Sequence, residues 1–310
     1  MAGVEMTDIQ KRRISDCLPK ISWETITPPY PDYNYFQDNQ FQPFQYGAGD
    51  FNPVNAWWLI EASILAYSEE AFIKEKLLLA GIPEMKFFSG PSTQCYVANN
   101  DHLVFVVFRG TEINRQNGRF DFQNIIADLV ADFNFQLVDS GGAGKVHKGF
   151  KKALDEVWDG GGLLDYIKSK DDGKRTLWFA GHSLGAALAA LAADRYDTIH
   201  GLYTYGSPRV GDEEFVRNYS APAFRVVNNN DLVAKLPPPI IYRHVGTLKY
   251  IDSNGRVREN SEAAEKYSSE HRKAIGDIPR SGFGLLVPDA IVDHVPLIYS
   301  VYLWNNIVGK

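Results

Sequence analysis

Cysteine is scarce in this chain, which has only Cys17 and Cys95 among its 310 residues. The two cysteines lie far apart and form no C-x-x-C pair, so the sequence indicates neither a disulfide framework nor a zinc site. We expect both thiols to be reduced and buried, and a single bridge between them is the alternative. The seven histidines also lack metal-ligand spacings such as H-E-x-x-H. The sequence therefore predicts no metal and no cofactor.

Positive charge is not in excess either, since 38 aspartates and glutamates outnumber 32 lysines and arginines and the net charge is −6. The largest basic cluster is Lys11-Arg12-Arg13, which is far from the basic stripe of a nucleic-acid-binding protein. The most hydrophobic region, residues 285–304, is interrupted by two prolines and two aspartates. We therefore predict no nucleic-acid partner and no transmembrane segment.

The first residues lack the apolar stretch of a secretory signal and carry Glu5 and Asp8 instead. Two localisations stay open at this point. One is the cytoplasm, and the other is that of a secreted protein in its mature form.

Residues 1–50 differ from the rest because they are polar and rich in aromatic residues that follow no clear period. We predict that they form an irregular arm, packed on the main domain through its rings. We expect residues 51–310 to form one domain, since α/β folds of this length often do.

Short apolar strands alternate with helical segments along that main part of the chain. Helices are predicted at residues 55–67, 148–168 with an interruption at glycines 160–162, and 212–219. Strands are predicted at residues 102–108, 177–180, 202–205 and 224–228. Strands separated by helices of this length are typical of a mostly parallel sheet with helices on both faces, so we predict an α/β fold.

The most informative motif is G-H-S-L-G at residues 181–185. A buried strand precedes it, and a run of alanines and leucines, the strongest helix formers, follows it. A nucleophile elbow needs this order of strand, sharp turn and helix, with glycines where a Cβ atom would clash. The motif predicts Ser183 as a nucleophile, with an inert serine in a glycine-rich turn as the alternative.

A serine nucleophile needs a histidine to take its proton and a carboxylate to orient that histidine. In α/β hydrolases the acid and then the histidine follow the serine along the chain. Asp231 directly follows a buried strand, at the sheet edge where α/β folds place their sites. His294 is favoured as the base because Pro296 starts a final helix and leaves the histidine on a loop. His244 is the alternative base, with a structural role as its other interpretation.

The chain resembles the class 3, fungal-type triacylglycerol lipases over roughly residues 55–304. Several blocks appear in the family's order: F-R-G-T at 108–111, V-H-K-G-F at 146–150, the elbow and its helix at 181–189, Y-G-S-P-R-V-G at 205–211, V-N at 227–228 before Asp231, L-P at 236–237, and D-H at 293–294. The resemblance implies an α/β-hydrolase fold with a lid segment after the oxyanion strand.

The family's site residues map onto this sequence one by one. The resemblance implies that Ser183, Asp231 and His294 form the catalytic triad. It places the oxyanion hole at the main-chain N–H groups of Thr111 and Leu184, with the Thr111 hydroxyl as a further donor. It also implies structural rather than catalytic roles for His147 and Arg209.

The same resemblance places a lid at residues 112–122, to which Glu112, Ile113, Phe120 and Phe122 belong. Polar residues dominate this segment. A lid that opens on lipid should instead present an apolar face, so a plain surface loop is the alternative.

Together these features predict a serine hydrolase that cleaves acyl-ester lipids such as triacylglycerols, with transient contact to a lipid surface. The alternatives are a feruloyl or other soluble-ester esterase and a phospholipase A. A non-catalytic binding protein with an α/β-hydrolase fold is the more distant alternative.

Overall fold

The computed structural model describes residues 10–22, 24–110, 136–196, 198–274 and 288–309, with main chain only for 269–274. Its strands are β1 Glu84–Ser89, β2 Gln94–Asn99, β3 Leu103–Phe108, β4 Leu137–Asp139, β5 Lys145–His147, β6 Thr176–His182, β7 Gly201–Tyr205, β8 Ala223–Asn228, β9 Thr247–Ile251 and β10 Val257–Arg258. Its helices are α1 Ile14–Cys17, α2 Pro53–Leu65, α3 Glu70–Leu79, α4 Lys148–Trp158, α5 Leu163–Lys170, α6 Leu184–Asp194, α7 Glu213–Asn218, α8 Asn260–Ala274, α9 Asp289–Val292 and α10 Pro296–Val308.

Within this described part of the chain, eight strands form one sheet in the order β1-β2-β3-β6-β7-β8-β9-β10. Strands β3, β6, β7, β8 and β9 run parallel to one another. Strands β1 and β2 on one side of them and β10 on the other side join through antiparallel pairs. Strands β4 and β5 pair separately. The prediction of a mostly parallel sheet is confirmed, and all its parallel strands end at the same edge.

Two apolar cores cover the two faces of the sheet. Successive residues of a strand point to opposite faces, so Phe105 and Val107 of β3 join one core while Val104 and Val106 join the other. The first core lies against α2 and α10, and the second lies against α4, α5 and α6. Because helices cover both faces of the sheet, the carboxyl ends of the parallel strands are where a site can open.

The described part of the N-terminal arm packs on the first core through its aromatic rings. The ring centroid of Phe44 lies 5.0 Å from that of Phe105 and 5.2 Å from that of Trp178. The ring of Phe36 lies 5.1 Å from that of Trp58 on α2. The division of the chain at residue 50 stays a prediction.

The arm also pairs with the last helix. The N–H of Arg12 donates to the Asn305 side chain at 2.7 Å, and the Asn305 amide donates back to the Arg12 carbonyl at 2.8 Å. The Arg12 guanidinium lies 4.2 Å from the ring centre of Trp304. This seam joins the first described residues to the end of α10.

Both cysteines are free, so the alternative of a bridge between them is wrong. Cys95 on β2 is buried as expected, whereas Cys17 on α1 is only partly buried. Among the described helices, none is long and apolar enough to cross a membrane. Nor do the described residues include a cluster of histidine, cysteine and carboxylate side chains that could hold a metal ion.

Candidate active site

Ser183 occupies a sharp turn between β6 and α6. Its backbone angles are φ 60° and ψ −129°, which non-glycine residues rarely adopt and which cost free energy. A Cβ atom at Gly181 would lie 2.3 Å from the Gly185 carbonyl oxygen, and one at Gly185 would lie 2.3 Å from the Phe108 carbonyl oxygen. Gly181 is therefore required by close packing within the turn, and Gly185 by close packing of the turn against the end of β3.

Ser183, His294 and Asp231 form a continuous chain of hydrogen bonds. The Nε2 atom of His294 lies 2.9 Å from the Ser183 Oγ, and its Nδ1 atom lies 2.9 and 2.8 Å from the two Asp231 carboxylate oxygens. A carboxylate can only accept, so Nδ1 carries a proton and Nε2 is left free to accept one from the serine. The structure thus brings together three residues that lie up to 111 positions apart.

Asp231 is fully buried, and each of its oxygens has further donors. One oxygen accepts from the N–H groups of Val233 at 2.9 Å and Ala234 at 3.4 Å. The other accepts from the hydroxyl of Tyr299 at 2.5 Å. Burial and the Asp231 charge raise the pKa of Tyr299, which keeps this hydroxyl protonated as a donor. Sequence reasoning missed Tyr299, because no local motif marks a tyrosine on the last helix as a partner of Asp231.

The loop between α9 and α10 holds His294 in place. The side chain of Asn228 donates to the Asp293 carbonyl at 2.9 Å. The Asn229 side chain and the Asn230 N–H both donate to the Asp293 carboxylate at 3.0 Å. Burial, reinforced by the charge of Asp231, raises the pKa of Asp293 to about 7. The three asparagines at and after the end of β8 therefore attach the loop of His294 to the loop of Asp231.

His244 lies outside this hydrogen-bonded chain. Its Nε2 atom lies 2.9 Å from the Ala234 carbonyl oxygen, and burial, with smaller contributions from Arg225 and Arg209, holds its pKa well below the ordinary value. Arg209 donates to the Pro237 carbonyl at 2.6 Å, and His147 accepts from the first N–H groups of α4. These contacts agree with structural roles for all three residues.

Of the two predicted oxyanion donors, the structure describes only Leu184. Leu184 is the first residue of α6, so its N–H has no partner within the helix and lies next to Ser183. Thr111 and the predicted lid residues Glu112, Ile113, Phe120 and Phe122 lie outside the described residues.

Comparisons with known proteins agree with this geometry. The family model described as "Lipase (class 3)" matches residues 105–240. A lipase of Rhizomucor miehei is 35% identical over 180 residues, which cover 52% of this chain and 46% of that protein. The "Secreted mono- and diacylglycerol lipase 1" of Fusarium solani is 36% identical over 170 residues, which cover 51% of this chain and 47% of that protein. This chain therefore spans about half the length of these curated relatives.

Solved structures extend the similarity along the chain. A fungal lipase–inhibitor complex is 25% identical with a TM-score of 0.53, covering 79% of this chain and 96% of that one. The triacylglyceride lipase of Rhizomucor miehei has the same TM-score and coverage at 22% identity, which shows a shared fold. The predicted α/β-hydrolase fold is confirmed.

Proposed function

Because this chain belongs to the class 3 lipase family, we propose that it is a serine hydrolase that cleaves the ester bonds of acyl lipids such as triacylglycerols. The observation that carries the proposal is the hydrogen-bonded chain from Ser183 through His294 to buried Asp231. A binding protein would have no need to keep these groups aligned around a strained serine.

The proposed reaction begins with attack of the Ser183 Oγ on the ester carbonyl carbon. The Nε2 atom of His294 takes the serine proton, and Asp231 stabilises the imidazolium that forms. The N–H of Leu184, with Thr111 as the proposed second donor, stabilises the negative oxygen of the tetrahedral intermediate. His294 then protonates the leaving alcohol, and water releases the acyl group from Ser183 by the same steps in reverse.

Acyl lipids are the favoured substrates because the relatives are lipases, one of them named for mono- and diacylglycerols. We further propose that residues 112–122 contact the lipid surface through Phe120 and Phe122. Shortening this segment should spare the hydrolysis of soluble esters and change the preference for aggregated lipids.

The test is a series of p-nitrophenyl esters from acetate to palmitate, measured beside emulsified triacylglycerol and a phospholipid. Ser183→Ala should lower kcat about 10³- to 10⁶-fold while the fold survives, since the triad acts as a unit. A serine-directed phosphonate should label Ser183 and spare Ser207, the buried serine of the turn after β7, which serves as the matched control.

Three outcomes would contradict parts of the proposal. Inactivity of the parent protein on every ester would favour the binding protein. Activity confined to short soluble esters would favour the esterase alternative. Labelling at Ser207 would overturn the assignment of the nucleophile.

A further inference from the structure

A second histidine lies directly against the proposed base. His182, the last residue of β6, is 3% exposed, and its ring centroid lies 4.5 Å from that of His294 with 32° between the ring planes. Its Nε2 atom lies 2.8 Å from the main-chain oxygen of His294. Its Nδ1 atom lies 3.0 Å from the hydroxyl of Tyr67, which follows α2. The proposed chemistry uses neither His182 nor Tyr67.

The partners of His182 determine which of its nitrogens carries the proton. A carbonyl oxygen can only accept, so Nε2 must donate to His294. In the neutral ring Nδ1 is then an acceptor, and the Tyr67 hydroxyl donates to it. Burial, to which the neighbouring His294 adds, holds the pKa of His182 well below its ordinary value, so the ring stays neutral.

The network continues beyond Tyr67 to the strand that precedes the proposed oxyanion donor. The N–H of Gly110 donates to the Tyr67 oxygen. A Cβ atom at Gly110 would lie 2.0 Å from that oxygen, so only glycine permits this approach. One chain of hydrogen bonds therefore joins the end of β3, the serine elbow and the main chain of the base.

We propose that His182 is a positioning residue, which holds His294 at the correct distance from Ser183, and that Tyr67 fixes its tautomer. This inference rests on the proposed function. During turnover His294 alternates between a neutral ring and an imidazolium. Because the neutral His182 ring is hydrogen-bonded to the main chain of His294, both ring nitrogens of His294 stay free for Ser183 and Asp231. The reverse tautomer would turn the Nε2 lone pair of His182 toward a carbonyl oxygen and push the loop away.

Two amide variants of His182 distinguish the hydrogen bond at Nε2 from the hydrogen bond at Nδ1. In His182→Gln the amide nitrogen can occupy the place of Nε2 and keep the bond to His294. In His182→Asn the shorter amide can keep only the contact with Tyr67. We expect kcat on p-nitrophenyl butyrate to fall on the order of 10²-fold in the Asn variant, with KM little changed, because small misplacements of a catalytic group have effects of this size. The Gln variant should stay within about tenfold of the parent, because its amide retains the bond to the His294 main chain.

The pH profile gives a readout that loss of packing alone would not move. A misplaced His294 loses part of its interaction with Asp231, so the kinetic pKa in kcat/KM should fall in the Asn variant and stay at the parental value in the Gln variant. His200→Gln is the matched control, because the ring of His200 is also hydrogen-bonded to the main chain, accepting from the Leu177 N–H, but lies beside the start of β7, at the opposite end of the parallel strands. Its kcat and kinetic pKa should equal those of the parent.

Near-UV circular dichroism shows which variants fold. If both amide variants fold and lose kcat equally, or if neither loses kcat, the positioning role is overturned. If neither folds, Tyr67→Phe decides, since it removes only the hydroxyl, which donates to His182 and accepts from the Gly110 N–H. It should lower kcat and the kinetic pKa, and parental values for both would overturn the inference. A parent that hydrolyses no ester and takes no phosphonate would overturn the proposed function itself, and this inference with it.

Discussion

Asp231 and Glu61 are two carboxylates with similar surroundings and different roles. Both side chains are 0% exposed, and each accepts hydrogen bonds from a tyrosine hydroxyl and a main-chain N–H. The difference that matters is a histidine ring. Asp231 faces the ring of His294, the proposed base, which reaches Ser183, whereas no histidine ring is among the described hydrogen-bond partners of Glu61.

The partners of Glu61 hold the arm against α2 and α10. It accepts from the hydroxyl of Tyr33 and the N–H of Phe36, each at 2.8 Å, and from the hydroxyl of Ser300. Burial raises the pKa of Glu61, while the charge of Arg12 and these donors oppose the rise. These donors provide hydrogen bonds to the buried Glu61 carboxylate and hold the irregular N-terminal arm in place. Their role is therefore structural.

The two clusters meet on α10, where Tyr299 donates to Asp231 and the next residue, Ser300, donates to Glu61. One helix therefore supports the acid on one side and the arm on the other. The difference teaches that a buried carboxylate becomes part of a catalytic site through the proton acceptor beside it. Burial and satisfied hydrogen bonds are common to both.

Asp231→Asn should produce the largest change, and that change should be in kcat. The amide keeps the size of the carboxylate but favours the wrong tautomer of His294, so we expect kcat to fall about 10⁴-fold. Steady-state kinetics measures kcat, and urea unfolding of the same preparation measures the free energy of unfolding. A variant that keeps a tenth of the parental kcat would show that Asp231 is as dispensable for turnover as Glu61.

Glu61→Ala should have its effect on stability instead. It leaves the buried donors Tyr33, Phe36 and Ser300 without their acceptor and Arg12 without a nearby negative charge, so the free energy of unfolding should fall by about 3–5 kcal/mol. The folded fraction should keep a kcat close to the parental value. Glu61→Gln, which retains an acceptor oxygen, is the matched control and should lose less stability. Loss of kcat without loss of stability would erase the contrast between the two sites.

Asp293 is a third carboxylate to set beside Asp231 and Glu61. Its pKa of about 7 is raised mainly by burial. Its raised pKa contributes stability that is fully present below about pH 4 and is lost as the pH rises through about 7. The parental free energy of unfolding should therefore fall, relative to that of Asp293→Asn, on the order of 3 kcal/mol across this range. Urea unfolding at several pH values measures it. Parallel pH curves would show that Asp293 is ionised without cost.

The smallest effects are expected on α10 itself, where neighbouring residues serve the two clusters. Tyr299→Phe removes one donor to Asp231 and should lower the free energy of unfolding by about 2 kcal/mol, together with kcat by about tenfold. Ser300→Ala is the control one residue away and should lower stability alone. Equal losses of kcat in the two variants would mean that the helix acts as one unit.

The sequence predicted the elbow, the mostly parallel sheet and the loop position of His294, because each has a local signal. Glycine spacing, alternation of strand and helix, and Pro296 at the start of α10 are such signals. The motif and the chain order also pointed to Ser183, Asp231 and His294, and the family resemblance agreed and added the oxyanion donors. The catalytic roles of all these residues stay predictions.

The supporting contacts could not be predicted, because they join residues that lie far apart. Glu61 sits in an apolar helical stretch, and nothing nearby in sequence shows that the arm caps it. In the sequence His182 is marked only as part of the elbow motif, since its contacts with Tyr67 and His294 span 115 and 112 positions. Partners at such distances depend on how helices pack on the sheet, which local periodicity does not encode.

The seam between Arg12 and the end of α10 has a mechanical consequence. A force that pulls residue 10 away from residue 309 would load first the hydrogen bonds that join Gln10 to Trp304 and Arg12 to Asn305. Once they open, the tension passes along α10 to the loop of His294, while the parallel strands lie outside the line of force. A molecule stretched between these two residues should therefore lose the alignment of His294 with Ser183 before its sheet unfolds.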